Sequence, residues 1–305
     1  MSKLSTAIKL IKKNKGDFFA ALLQNICFLF PDKLYLQLLF RCKLGRKLDL
    51  VNPQTYNEKL QWLKLYNRNP TYTTLVDKGS VKNWVAERIG DEYIIPTLGT
   101  WNTVESIDFD VLPNQFVIKT TNGGGGDVVI CKNKDAFDKI GALRRLRKGL
   151  KKNIYKKYRE YPYKNIEPRI IAEKYLEDDD GELKDYKFFC FNGVVRCIQV
   201  DYDRFVEHHR NMYDVDWNLL PFTIMYPSNK DVVIKKPKNL EKMIEIAETL
   251  SEGIPHVRVD LYNIGGLIYF GELTFYHASG MKPFSPESWD LQFGNWLTLP
   301  KKEKC

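Results

Sequence analysis

Several residue types and patterns are scarce in this chain of 305 residues. Histidine occurs only 4 times, and none of the 6 cysteines (Cys27, Cys42, Cys131, Cys190, Cys197 and Cys305) forms a C-x-x-C pair. A structural zinc site is therefore not expected. The N-terminus lacks the pattern of a secretory leader, so thiols kept reduced in a cytosol are the expectation. No apolar run reaches the roughly 20 residues that a bilayer-crossing helix needs. The most apolar one, FFAALLQNICFLF (18–30), contains Gln24 and Asn25 and stops at Pro31-Asp32-Lys33. Lys9, Lys12, Lys13, Lys15, Arg41, Lys43, Arg46 and Lys47 flank the apolar stretches, which suits a helix lying in a membrane interface. A helical pair packed on the main body is the preferred reading. Internal repeats, low-complexity linkers and an obvious catalytic triad are also missing.

What is present is globular in character, with 44% hydrophobic and 28% charged residues, enough at this length for a sizeable core in one large or two smaller domains. Lys and Arg outnumber Asp and Glu by 47 to 38, a net charge of +9. Such an excess favours an anionic partner: nucleic acid, anionic lipid, a nucleotide or an acidic glycan. Nucleic acid is the least favoured, because the basic residues are dispersed and no aromatic-basic RNA motif occurs.

Apolar periodicity divides the chain. Residues 1–50 read as helical and basic, 55–68 as a helix with Leu60, Leu63 and, close by, Tyr56 and Tyr66 at helical spacing, and 73–89 as further helix with Leu75, Val76, Val81, Trp84 and Val85 as its buried stripe. From residue 115 the texture changes to short β-branched and aromatic runs. QFVIKT (115–120) and VVIC (128–131) read as strands, 135–152 as a basic helix, and RIIAEKYL (169–176) as a strand. DYKFFCF and VVRCIQV read as a hairpin turned at Asn192-Gly193. A helix at 238–252 precedes a last hairpin of HVRVDLY (256–262) and LIYFGELTF (267–275). Strands joined mostly as hairpins imply an α+β fold with antiparallel sheet.

Three places carry chemistry. Gly123, Gly124, Gly125 and Gly126 follow a strand bearing Lys119, and glycines let backbone N–H groups wrap phosphate oxygens. Neither a P-loop nor a dinucleotide fingerprint fits, since both need a helix after the glycines. In the last hairpin, a three-residue loop Ile264-Gly265-Gly266 would pair Val257 with Leu273, Val259 with Gly271 and Leu261 with Tyr269, a clean apolar face. It would set Arg258 opposite Glu272 and Asp260 opposite Phe270, leaving Asp260 and Glu272 as diagonal neighbours on the other face, suited to holding Mg²⁺. A two- or four-residue loop would throw the acids onto opposite faces. A surface ion pair of Arg258 with Glu272 is the plainer alternative. The third place is RIIAEKYLEDDDG, where a strand edge could meet an adenine and Glu177 or Asp178 a ribose; a solvated turn at Asp180-Gly181 is the alternative.

The order of these parts, with NPQTYNEKLQWLKLYNRNP (52–70), LPNQFVIKTTNGGGG (112–126), E-K-Y-L-E (173–177), DYKFFCFNG (185–193), R-x-D and E-L-T on the late hairpin, resembles the TupA-like branch of the ATP-grasp superfamily, named for a teichuronopeptide biosynthesis protein. The resemblance runs from the first helices to FSPESWD (284–290). It implies two antiparallel-rich α+β lobes enclosing a nucleotide cleft, with a helical N-terminal extension. The expected division is a basic helical segment at 1–50, an N-terminal lobe at 51–113, a glycine-loop lid at 114–176 and a metal-binding lobe at 177–305.

The resemblance also implies an ATP-dependent carboxylate–amine ligase with ATP and Mg²⁺ as cofactors. It matches Lys119 to a phosphate-contacting lysine and Gly123 to Gly126 to the lid over the phosphates. Glu173, Lys174 and Leu176 match the adenine hinge, Glu177 or Asp178 the ribose contact, and Asp260 and Glu272 the metal carboxylates. Thr274 stands in for an asparagine as third metal-side ligand, and Arg258 for the arginine that steadies the transferred phosphoryl group. Lys187, sharing a face with Asp185, is a second candidate for anionic contact, or else an exposed cross-strand ion pair. Asp203, Arg204 and Arg210 are candidates for receiving an acidic acceptor. His208 and His209 read as surface residues, and His277 as a structural turn histidine, with a place near the phosphates as the alternative. Relatives of this branch are associated with capsule or wall polymers, so the implied partners are an acidic saccharide and an amine or amino acid, with a cytoplasmic location that includes peripheral contact with the inner membrane face. Two other functions stay open: a glycosyltransferase using a D-x-D pair (Asp201-Tyr202-Asp203 or Asp214-Val215-Asp216), and a phosphotransferase acting on a sugar hydroxyl.

Overall fold

The computed structural model describes residues 15–123, 127–178, 183–202, 209–229, 231–232 and 234–302. Helices α1 (Lys15–Asn25) and α2 (Asp32–Leu44) pack together, and α2 stops where Gly45 turns left-handed at φ +72°. Their inner sides, Ala20, Leu23, Tyr35, Leu36, Leu39 and Phe40, enter the same core as the C-terminal half of the chain. No helix among the described residues is long and apolar enough to cross a membrane. Helix α3 (Tyr56–Tyr66) starts at a capping box, with Thr55 accepting from the Glu58 amide and the Glu58 side chain from the Thr55 amide. Tyr56, Leu60 and Leu63 are buried as the periodicity implies.

The helix expected over 73–89 is two, α4 (Thr71–Val76) and α5 (Val81–Ile89). Asp77 makes the break. Its Oδ1 accepts from the amides of Gly79 (3.0 Å) and Ser80 (2.7 Å), a local turn that competes with continued helix.

The smaller sheet is fully antiparallel. It joins β1 (Thr97–Trp101), β2 (Phe116–Thr120), β3 (Val129–Cys131) and β4 (Ile170–Lys174) in the order β1-β4-β2-β3. Helix α6 (Lys139–Leu150) covers one face and closes a second core around Phe109, Phe116, Ile118, Leu146 and Ile170. Strand β1 was not legible in advance: its Gly99 sits at an irregular register and interrupts any alternation. With it, the sheet begins ahead of residue 114. β4 is an interior strand rather than an edge, and it ends at Lys174, short of residue 176. Helix α7 (Ile154–Tyr158) lies between α6 and β4.

The larger sheet takes β5 (Asp185–Phe191), β6 (Val194–Tyr202) and β7 (His209–Tyr213). After a short β8 (Thr223–Ile224) and α8 (Leu240–Ser251) come β9 (His256–Ile264) and β10 (Leu267–Thr274). The order is β10-β9-β5-β6-β7, again all antiparallel. Asn192 and Gly193, both at positive φ, form the β5–β6 turn as their type requires. Tyr186, Phe188, Ile198, Val200, Val259 and Leu261 share one face, over which α8 lays Met243, Ile246, Ala247 and Leu250. A final β11 (Phe284–Ser285) pairs with β8, and α9 (Ser288–Trp296) packs on α3.

The last hairpin departs from the expected register. Its loop has two residues, Gly265 (φ +60°) and Gly266 (φ +104°), and Ile264 pairs with Leu267. Two successive glycines at positive φ satisfy the tight turn, so a third loop residue is not needed. That loop alone would separate the two acids. A bulge at Gly271 adds one residue to β10 and restores them: Asp260 pairs directly with Glu272, Arg258 with Thr274 and Val259 with Leu273. Leu261 therefore faces Phe270 rather than Tyr269, and Ile268 and Phe270 supply the buried side before the bulge. A Cβ on Gly271 would lie 3.0 Å from the Asp260 carbonyl oxygen. Gly271→Val is expected to lower stability by about 1–3 kcal/mol, read from urea midpoints, because backbone rather than a flexible side chain must yield.

Candidate active site

Directly paired strand residues point to the same side of a sheet. The face of the larger sheet opposite α8 therefore carries Glu272 and Thr274 from β10, Arg258 and Asp260 from β9, Asp185 and Lys187 from β5, Gln199 and Asp201 from β6, and Arg210 from β7. Most of it is buried: Asp260 is 2% exposed and Lys187 6%. Buried charge is tolerated only when paired, and here each charge has a named counter-charge. Lys187 donates to Asp260 Oδ2 at 2.8 Å and also to Asp185. Arg258 grips Asp260 with two bonds, Nε to Oδ1 (2.6 Å) and Nη2 to Oδ2 (2.7 Å).

The same Nη2 reaches Thr274 Oγ1 at 3.1 Å and Glu272 Oε1 at 3.4 Å. One cationic atom thus touches all three residues expected as metal ligands. Among the described residues no group of three His, Cys, Asp or Glu side chains is placed to hold a metal ion. Two carboxylates and a hydroxyl around one cationic point nevertheless form a hard-oxygen set of the kind Mg²⁺ takes, since that ion keeps water and substrate phosphate for its remaining positions. Burial pushes the Glu272 carboxyl up, but Lys78, Arg258 and Lys187 outweigh it and hold it down at about 2. At Asp260 burial dominates and, with Asp185 and Glu272 nearby, pushes the carboxyl up against the pull of Arg258 and Lys187.

His277, in the turn after β10, is buried, and its Nδ1 lies 2.7 Å from Arg258 Nη1. Arginine only donates, so Nδ1 accepts and the ring proton sits on Nε2. Burial, then Arg258 and Arg210, push this imidazole well below its ordinary value and keep it neutral. Helix α3 fastens the turn. Gln61 Nε2 donates to the carbonyls of Ser279 (3.1 Å) and Gly280 (2.9 Å), and Lys64 Nζ to Ser279 O (2.7 Å).

A second buried charge group lies on the smaller sheet. Glu173 bridges Lys119 (2.5 Å) and Lys82 (2.7 Å). Burial pushes its carboxyl up, yet the two ammonium groups prevail and leave it below the ordinary value. Glu173 is thus committed to lysines, not presented as a free hinge group. Lys174 is exposed, and Leu176, Glu177 and Asp178 follow the strand, where Glu177 meets Lys132 and Asp178 meets Lys184, each at 3.3 Å. The Gly123 carbonyl accepts from Lys78 Nζ at 2.5 Å. Lys78 also reaches Glu272 Oε2 at 3.2 Å, so it joins Gly123 to the acid of β10. Gly124, Gly125 and Gly126 lie outside the described residues, as do Asp203, Arg204 and His208. Arg210, expected to meet an acceptor, is buried and turned inward: it donates to Asp201 Oδ1 (2.7 Å) and to the Ile224 carbonyl (3.0 Å). Asp214 spends its carboxylate on a turn, accepting from the amides of Asp216 and Asn218.

Sequence reasoning missed Lys78 and Lys82. Their signal was Asp77-Lys78-Gly79-Ser80, a helix-start pattern inside an apolar period that hid it.

The TupA-like ATP-grasp family model matches residues 58–298, well over half of the chain. The chain belongs to the TupA-like ATP-grasp family. Among solved structures, it is similar to a D-alanine–D-alanine ligase from Bacillus anthracis at 15% identity and a TM-score of 0.37, covering 73% of this chain and 60% of that one. A D-alanine–D-alanine ligase from Helicobacter pylori aligns at 14% identity and a TM-score of 0.42, covering 80% and 69%. The D-cycloserine synthetase DcsG aligns at 16% identity and 0.41, covering 74% and 70%. No curated protein matches the chain.

Because the Glu173 carboxyl titrates below its unfolded value near 4.3, its stabilising effect is complete above that value and is lost as pH falls through the folded one. Glu173→Gln is expected to cost about 3 kcal/mol at neutral pH by leaving two lysines uncompensated. The gap from the native chain should narrow in urea melts below about pH 4.

Proposed function

We propose that this ATP-grasp protein is an ATP-dependent carboxylate–amine ligase. The observation that supports it most is the convergence of Asp260, Glu272 and Thr274 on one cationic position, tied through Lys78 to the glycine loop. Those three residues would hold Mg²⁺, and Lys119, Gly123 to Gly126, Glu173, Lys174, Leu176 and Glu177 or Asp178 would line the nucleotide position. Bound there, ATP and Mg²⁺ supply a phosphoryl group with its charge neutralised.

The substrate carboxylate takes the γ-phosphoryl group, releasing ADP and giving an acyl phosphate. The amine then attacks the acyl carbon, phosphate leaves, and the amine loses a proton as the amide forms. In this reading Lys78, Lys119 and Lys187 offset phosphate charge, and Arg258, already shared between Asp260 and Glu272, steadies the group in transfer. The glycine loop excludes water, which would destroy the acyl phosphate. No protein nucleophile is called for.

We place the acceptor's acid group in a cavity of about 250 Å³ lined by Asn122, Lys151, Lys152, Lys156 and Tyr163, with no carboxylate side chain among its lining residues. Burial, then the Glu160 and Glu272 carboxylates, push the Tyr163 phenol of this wall well above its ordinary value. The lysines of this wall suit an acidic component; we propose a saccharide or amino-acid unit of a cell-surface polymer, joined to an amine. A phosphotransferase on a sugar hydroxyl would use the same cleft. The glycosyltransferase reading has less support, because Asp201 is committed to Arg210 and Asp214 to a turn.

Mg-ATP at about 100 times its Kd should add about 2.7 kcal/mol and raise the melting temperature by several degrees. Glu272→Ala should abolish that rise, and hydroxylamine should trap an acyl hydroxamate from the active chain. A rise with UDP-sugars and none with Mg-ATP would reject the ligase.

A further inference from the structure

The net charge of this protein is uneven along its sequence. Residues 1–50 hold ten Lys and Arg against three Asp, which is seven of the nine surplus positive charges. Two of those acids are neutralised within the fold. Asp17 pairs with Lys43 (2.7 Å), and Asp32 pairs with Arg68 (2.5 Å) and Arg159 (2.8 Å). Lys15, Lys33, Arg41 and Lys47 are exposed.

The same segment exposes apolar side chains in an ordered way. Of eighteen large apolar side chains exposed among the described residues, six fall between 19 and 38: Phe19 (55%), Leu22 (51%), Phe28 (78%), Leu29 (63%), Leu34 and Leu38. On α1 the exposed positions Lys15, Phe19 and Leu22 follow helical spacing, and Phe28 and Leu29 lie in the turn beyond it. On α2, Leu34, Leu38 and Arg41 do the same. Each helix already buries its other side in the core through Ala20 and Leu23, or Tyr35, Leu36, Leu39 and Phe40. An outward stripe on a core-packed helix is normally polar. Here it is apolar and ringed by cations.

We infer that α1, the turn at residues 27–29 and α2 form a docking surface for an anionic lipid bilayer, with Phe19, Leu22, Phe28 and Leu29 entering the headgroup–acyl boundary and Lys15, Lys33 and Arg41 meeting lipid phosphates. A second copy of the chain is a poor occupant, because two faces with the same positive surplus repel. A nucleic acid would meet the cations and leave the apolar stripe unmatched. A leaflet of anionic lipid satisfies both. The inference stands independently of the ligase chemistry, since it uses no residue of the cleft.

The full chain should be spun with vesicles of pure phosphatidylcholine and with vesicles containing about 30 mol % phosphatidylglycerol. Binding to the anionic vesicles is expected to exceed binding to the neutral ones by about tenfold or more, and to weaken as salt is raised. The variant Phe19→Ser, Leu22→Ser, Phe28→Ser, Leu29→Ser should lose the vesicles while keeping its melting temperature and its Mg-ATP response. A native chain that stays in the supernatant with both vesicles overturns the inference. So does equal binding by the variant, or a native dimer in light scattering that the variant converts to monomer. Loss of the Mg-ATP response with vesicle binding retained would reject only the ligase reading.

Discussion

The arrangement depends on a buried carboxylate held between two cations. Asp260 is enclosed by Arg258 on its own strand and Lys187 on the next, and neither partner can leave without exposing an uncompensated charge in a region almost closed to water. That condition fixes the register of three strands at once, because β10, β9 and β5 must present Glu272, Asp260 and Lys187 in one row. The apolar face beneath α8 follows, since alternation assigns every second residue to it. Charges paired with one another in this way hold the row in order before any ligand arrives, which is the economy of preorganised electrostatics.

The helices around this row serve it from outside. The segment 55–66 uses Gln61 and Lys64 to fasten the carbonyls of the turn after β10, which holds His277 against Arg258. The break at Asp77 puts Lys78 where it can reach Gly123 and Glu272 together. One lysine therefore connects the end of the loop after β2 to the acid of β10.

Periodicity made some of this legible in the sequence and hid the rest. Tyr56, Leu60 and Leu63 announce α3 because each turn of the helix repeats the signal, and Asn192-Gly193 announces its hairpin because few other residues adopt that turn. Asp260 and Glu272 could be named as partners from residue type. The register that joins them could not be read, because a bulge breaks the alternation on which such reading rests. β1 escaped notice since Gly99 leaves it no repeat, and Lys78 did since a carboxylate that interrupts a helix looks, in one dimension, like any polar residue on its surface. Arg210 was a candidate for meeting an acidic acceptor; its partner Asp201 lies on the adjacent strand, a relation fixed by pairing and not by sequence distance.

The bulge at Gly271 behaves like a suppressor of a frameshift. The two-residue turn sets β10 out of phase with the acids of β9, and one added residue brings it back before Glu272 is reached. The hairpin tip and the acid pair are thereby uncoupled in phase. A family could lengthen this tip by one residue and delete the glycine, or do neither, and display the same two carboxylates side by side.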